Sequence, residues 1–325
     1  MLKKWALISL AFTVMLAAVS AAVAADYPAR PIKLVVPYVA GGPTDAQARL
    51  FGEFLARDLK QSVVIENKGG AQGAIGAEAV AHGAADGYTL LFTTSSVIEL
   101  NPVLYKKLAY DPARELRMLG ILTDVPMIMI VHPSIPAKSL AEFIAFAKQN
   151  PGKLNFGSAG SGSIGQLAGE MFKQQTGIEM THVPYKGAGA ALTDLLSGQI
   201  QVMFESVGIS LPHVQERLVR SLGVSSATRI AELPDLPTIA ESSYPGYRVS
   251  VWYGIAAPVG MPAQAAQTIS ASINRALGDE AFRASLTKAG FAPLKPRGEA
   301  ETKQFVEDDR VRWLDVVKKL NFSLD

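Results

Sequence analysis

Cysteine is absent from the 325 residues, which excludes disulfides, thiolate nucleophiles, Cys-ligated zinc, iron–sulfur clusters and a lipid-modified N-terminal Cys together. An excess of charge of one sign is missing too. With 31 Lys plus Arg against 29 Asp plus Glu, no long-range field favours a nucleic-acid partner. Charged residues are scarce overall at 18%, below the roughly 25% typical of soluble domains. Histidine is limited to His82, His132, His182 and His213, with neither a His-x-x-x-His nor a His-Glu-x-x-His spacing, so no metal and no cofactor is expected. No serine lies in Gly-x-Ser-x-Gly, and no Gly-Lys-Ser/Thr follows a glycine loop.

The apolar excess is concentrated at the start. Lys3 and Lys4 precede 21 residues without an ionisable side chain, Trp5 to Ala25, ending in small residues. This is the pattern of a cleavable signal peptide over residues 1–25, cut before Ala25 or Asp26; an uncleaved anchor helix is the alternative. No later stretch reaches that length without charge, so an exported soluble protein is expected, located in the periplasm. Removing residues 1–25 takes two lysines and no acid, leaving 29 basic against 29 acidic side chains.

The remaining chain alternates strand-like and helix-like segments. Strands are expected at 32–36, 63–66, 88–93, 154–157, 179–183 and 200–204, with helices at 44–59, 74–82, 140–149, 166–175 and 188–197. One or two buried strands interrupted at Pro126 are expected over 119–131. This rhythm implies an α/β fold with mainly parallel sheets flanked by helices. At about 300 residues two lobes are expected. Crossings near 123–130 and 249–257 would make lobe I 26–124 plus 251–325 and lobe II 125–250. The last helices, 263–277 and 299–320, would pack on lobe I.

Two glycine-rich loops join a strand to a helix. In the first, Val36 to Asp45, Gly41 and Gly42 let backbone amides at a helix N-terminus approach an anion, or else form a plain turn capped by Thr44 or Asp45. The second, Asn155 to Gly165, offers three hydroxyls and four glycines. It suits a carboxylate or phosphate, an ordinary turn, or, through Gly160, Gly162 and Gly165, a dinucleotide. The dinucleotide reading is weakened because Glu179 starts the next strand instead of ending it. Tyr247, Trp252, Tyr253 and Trp313 are too dispersed for base stacking and are expected in the core or a cleft wall.

Beyond these loops, the residues Tyr27-Pro28, Pro31-Ile32, Asp86-Gly87-Tyr88-Thr89-Leu90, Asn101-Pro102, Leu104-Tyr105 and His182-Val183-Pro184-Tyr185-Lys186-Gly187 form an ordered set. Pro234-Asp235, Pro237-Thr238, Pro245-Gly246-Tyr247 and Trp252-Tyr253-Gly254 continue it. Together they resemble the Bug receptors, the periplasmic solute-binding proteins of tripartite tricarboxylate transporters. The resemblance implies a two-lobed Venus-flytrap fold of the periplasmic-binding-protein type, closing on a ligand in the cleft between lobes. It implies a small carboxylate (organic acid, dicarboxylate, aromatic acid or amino acid) as ligand, membrane permease subunits as partners, a monomer, and no enzymatic activity. By position it points to Tyr38, Gly41, Gly42, Asp45, Thr94, Ser95 and Ser96 in lobe I. In lobe II it points to Ser158, Gly160, Ser161, Ser163, Pro184, Tyr185, Glu205 and Ser206. Glu205-Ser206 departs from the family's common Asp-Asn; the longer carboxylate would meet a ligand donor, repel a second carboxylate, or bond its own turn. A receptor signalling to a sensor kinase and a serine hydrolase using the 158–163 loop are the other readings.

Overall fold

The computed structural model describes residues 27–320, Ser243 apart, so the expected signal peptide lies outside the described residues. Strand β1 (Ile32–Val36) is followed by helix α1 (Pro43–Leu59), β2 (Val63–Asn67), α2 (Ala74–Ala81) and β3 (Thr89–Thr94). β1 pairs in parallel with β2 and β3. All three strands are apolar where they meet the helices, and Ile32, Leu34, Val36, Leu90 and Phe92 are fully buried against Phe51 and Leu55 of α1. A π-helical turn, Ser96–Leu100, continues into α3 (Asn101–Leu104), and α4 (Pro112–Glu115) leads to the long strand β4 (Leu116–Val131).

The second set consists of α5 (Leu140–Gln149), β5 (Leu154–Ser158), α6 (Ile164–Thr176), β6 (Met180–Pro184), α7 (Ala188–Leu196), β7 (Val202–Ser206), α8 (Val207–Gln215) and β8 (Arg220–Val224). β5 pairs in parallel with β6 and β7. The chain returns through β9 (Ser250–Pro258) and ends in α9 (Ala263–Gly278), α10 (Glu280–Lys288) and α11 (Glu299–Leu320). Each lobe is therefore a mainly parallel sheet with one antiparallel strand: β9 beside β3 in the first, β4 beside β7 and β8 in the second.

β4 belongs to both sheets. From Leu116 to Pro126 it pairs with β9, and from Met127 to Val131 with β7 and β8. Pro126 was expected to interrupt the strand; it lies where one partner ends and the next begins. A residue without an N–H is tolerated at such a junction. Ser225 closes it. Its Oγ accepts from Met127 N at 2.8 Å and lies against the carbonyls of Met127 and Val249.

The last helix packs on the first sheet, as expected, and also reaches the second. At 22 residues α11 is about 33 Å long, enough to run past the crossover. Its start is tied to β4 by Arg117 and Glu299 at 2.9 Å, and its last turn accepts at Lys319 O from Gln174 of α6 at 3.0 Å.

Candidate functional site

A cavity of about 250 Å³ lies between the two sheets, bordered by the C-terminal ends of β1, β3, β5 and β7 and by Val251 and Tyr253 of β9. Strand C-termini of open α/β sheets are where such crevices form. Three helices begin at its wall with no side chain capping them: α1 at Gly42, α7 at Gly187 and α8 at Ser206. Their first amides lack intrahelical acceptors and carry the positive end of the helix dipole. Among the described residues, no Lys or Arg lines the cavity.

Of the residues singled out from the sequence, Tyr38, Gly42, Thr94, Ser96, Ser163, Glu205 and Ser206 meet at this cavity. The Tyr38 hydroxyl lies 3.2 Å from Thr94 Oγ1, and burial raises its phenol above the ordinary range despite that contact. Glu205 is also pushed up by burial, partly offset by the Ser206 amide, which donates to its Oε1 at 2.7 Å.

The others stand behind the wall or at its mouth. Gly41 takes φ +86°, a left-handed conformation that favours glycine, and its amide donates to Asp45 Oδ2 at 3.0 Å. Asp45 also accepts from Arg49 Nε and from Asn67 Nδ2, both at 2.9 Å, and Asn67 donates to Tyr38 O at 3.1 Å. Burial disfavours its charge, but these donors outweigh it and lower the carboxyl below its usual range. Asp45 is thus a strut that shapes the loop. Ser95 is buried beside the site with its Oγ unpartnered.

In the second loop, Ser158 is 1% exposed, and its Oγ lies 2.7 Å from His182 Nε2 and 3.0 Å from Gly160 O. This Ser–His contact ties the loop to β6. Ser163 spends its Oγ on Gln166 N, and Gln166 Oε1 accepts from Gly162 N at 2.7 Å, so this helix start is already capped. Ser161 is exposed at the mouth and Pro184 on the surface. Tyr185 donates to Asp194 at 2.7 Å, pointing along α7. Gly187 and Ala188, two and three residues on, occupy the wall instead.

The sequence reading missed Gln72. It lines the cavity, and its Nε2 donates to Ser161 O in the opposite lobe at 2.9 Å. It follows Gly69-Gly70, which is the only local signal. Tyr253 meets the expectation of a cleft wall, while Trp252, Tyr247 and Trp313 are core.

Residues 47–322 match the family described as tripartite tricarboxylate transporter family receptor. The chain belongs to that family. BugT of Bordetella pertussis is 35% identical over 310 residues, covering 95% of each chain. Among solved structures, R. palustris Rpa4515 with adipate superposes with a TM-score of 0.86 at 35% identity, over 92% of this chain and 99% of the other. MatC from Rhodopseudomonas palustris with bound malate gives 0.81 at 33% identity, over 90% and 100%. The fold is accordingly that of a two-lobed periplasmic binding protein, and the chain is a Bug-type solute receptor.

Proposed function

We propose that this receptor captures a small carboxylate in the cavity between its sheets and delivers it to the permease subunits of a tripartite tricarboxylate-type transporter. The observation that carries the reading is the convergence of three uncapped helix starts on a cavity without a cationic side chain. Backbone amides and hydroxyls can hold a carboxylate there, directly or through water. The relatives with adipate and malate bind ligands of that class. The ligand would contact Gly42, Thr94 and Ser96 from lobe I, with Tyr38 beside them, and the 187–188 turn, Ser163 and Ser206 from lobe II.

Lobe I takes residues 26–124 plus 251–325 and lobe II 125–250 in this reading, with the hinge at the junction where β4 changes partner. The receptor works in the periplasm as a monomer after loss of residues 1–25. In this reading it is not an enzyme: neither Ser158 nor His182 lines the cavity, and the relatives are receptors. A thermal-shift panel of mono-, di- and tricarboxylates, aromatic acids and amino acids tests the assignment, because a ligand that binds only the folded state raises apparent stability by mass action. A rise with at least one acid is expected. No rise with any of them would remove the carboxylate reading.

A further inference from the structure

Glu205 and Ser206 sit side by side where β7 runs into α8, on the wall of the cavity. Glu205 spends Oε1 on its own turn, accepting from Ser206 N at 2.7 Å. Apart from that amide, only the neighbouring Ser206 hydroxyl eases its charge, and among the described residues no Lys, Arg or His stands close enough to pair with it. Ser206 is 2% exposed and occupies the N-cap position of α8, where a serine oxygen ordinarily accepts from a first-turn amide. It makes no such bond; its Oγ lies beside the Glu205 carboxyl, which it helps to lower, and meets no partner in full hydrogen-bond geometry among the described residues.

Two consequences follow from this arrangement. The Ser206 amide, one of those at the α8 start, is already occupied by the protein's own carboxylate, and that carboxylate repels a second one beside it. A ligand carboxylate is therefore better placed at α1 and α7, away from Glu205. At the Glu205 end the wall presents an acceptor that burial penalises for want of a donor or a cation. Tyr253 of β9 is the titratable neighbour facing it; burial, then the Glu205 charge, holds its phenol well above the ordinary range, so it brings no positive charge.

We infer that Glu205 and Ser206 form a subsite for a hydrogen-bond donor on the ligand, so that the receptor prefers a small carboxylate bearing a hydroxyl or ammonium group over the same skeleton without one. This rests on the carboxylate reading above. It assigns polarity within the cavity: carboxylate toward Gly42 and Gly187, donor toward Glu205.

The test is calorimetric titration of the mature receptor with acids matched in skeleton. Suitable series are propionate, lactate and alanine; succinate, malate and aspartate; and glutarate, 2-hydroxyglutarate and glutamate. In the best-binding series the hydroxy or amino member is expected to bind at least about tenfold tighter than the unsubstituted acid, and the stronger of the two identifies the donor. Glu205→Gln keeps an acceptor for Ser206 N but places an amide where Oε2 stood; it should bring that ratio below about threefold with an unchanged Tm. Equal affinity within the best series, tight binding confined to acids without a donor, or a ratio that survives Glu205→Gln would overturn the inference and leave the carboxylate reading standing. Failure of every acid, citrate and benzoate included, would overturn both.

Discussion

At the residue scale, the buried acids divide by what surrounds them. Asp45 is held low by Arg49, the Gly41 amide and Asn67, and it fixes the first glycine loop without lining the cavity. Asp45→Ala leaves the Gly41 and Asn67 donors without their acceptor and is expected to cost about 1–3 kcal/mol. Ligand affinity should fall with it although no direct contact is removed; chemical denaturation and titration of one protein sample measure both. Glu99 is the opposite case. It is fully buried, accepts from Trp252 Nε1 at 2.9 Å, and is pushed up to about 11 by burial and by the neighbouring Asp309 carboxylate of α11. Its folded value lies above its ordinary 4.5, so the stability it contributes is fully present below about pH 4.5 and is lost progressively as pH rises toward 11. Glu99→Gln keeps the acceptor for Trp252 and can donate to Asp309 at any pH. Its Tm should therefore fall less steeply between pH 6 and 9 than the wild type's, where one differential proton is worth about 1.4 kcal/mol per pH unit. Parallel curves would show that Glu99 does not hold that proton.

At the element scale, the hydrophobic rhythm made most of the fold legible. The strands of both parallel sets and the helices between them lie within a few residues of the ranges read from the pattern, the scatter expected at element ends. The pattern failed where turn chemistry or tertiary packing overrides it. α8 contains Gly208 and Pro212, both poor inside helices, and is held by packing against β4 and β7. β8 is a five-residue segment whose place depends on a partner ninety residues earlier in the chain. The glycine loops were legible as stretches of the cavity wall because a strand, a glycine-rich turn and a helix follow one another. What the local order could not reveal is which polar groups are already used: Asp45, Ser158 and Tyr185 point inward to protein partners, whereas Gln72 points across the cleft. The crossover itself is a single buried hydroxyl joining three segments. Ser225→Ala removes the nearer of two acceptors for Met127 N, leaving Val249 O at 3.4 Å, and is expected to destabilise the protein by about 1–3 kcal/mol in urea unfolding. A change below about 0.3 kcal/mol would show that the strands hold their junction without it.

At the scale of the whole molecule, β4 runs through both sheets and helix α11 touches both, so in the proposed reading one rotation about the crossover opens the cavity while both sheets persist. Residues 26–325 are formally neutral, which leaves no global field to draw in an anion. Association should accordingly change by less than about threefold between 0.02 and 0.5 M salt, measured by stopped flow. What favours the closed form must then be short-range. Gln72 supplies such a contact, because its bond to Ser161 O joins lobe to lobe at the mouth. The segment that presents it is held in an uncommon shape: Gly70, Ala71, Gln72 and Gly73 all take positive φ, and Asn101 Nδ2 donates to Gln72 O at 3.1 Å. For the two non-glycine residues this conformation costs roughly 1–2 kcal/mol each, and such strain persists where surrounding structure fixes it. A ligand shifts the balance between open and closed only through contacts it makes better in one of them. The Gln72 bond adds to those contacts whichever acid is bound. Gln72→Ala removes a hydrogen bond worth about 0.5–1.5 kcal/mol, so affinity should fall by about two- to tenfold, chiefly through faster release. Small-angle scattering of the unliganded variant should show a larger radius of gyration than the wild type, and saturating ligand should restore the compact value. Unchanged release together with identical scattering would place the closing force in the ligand and the crossover alone.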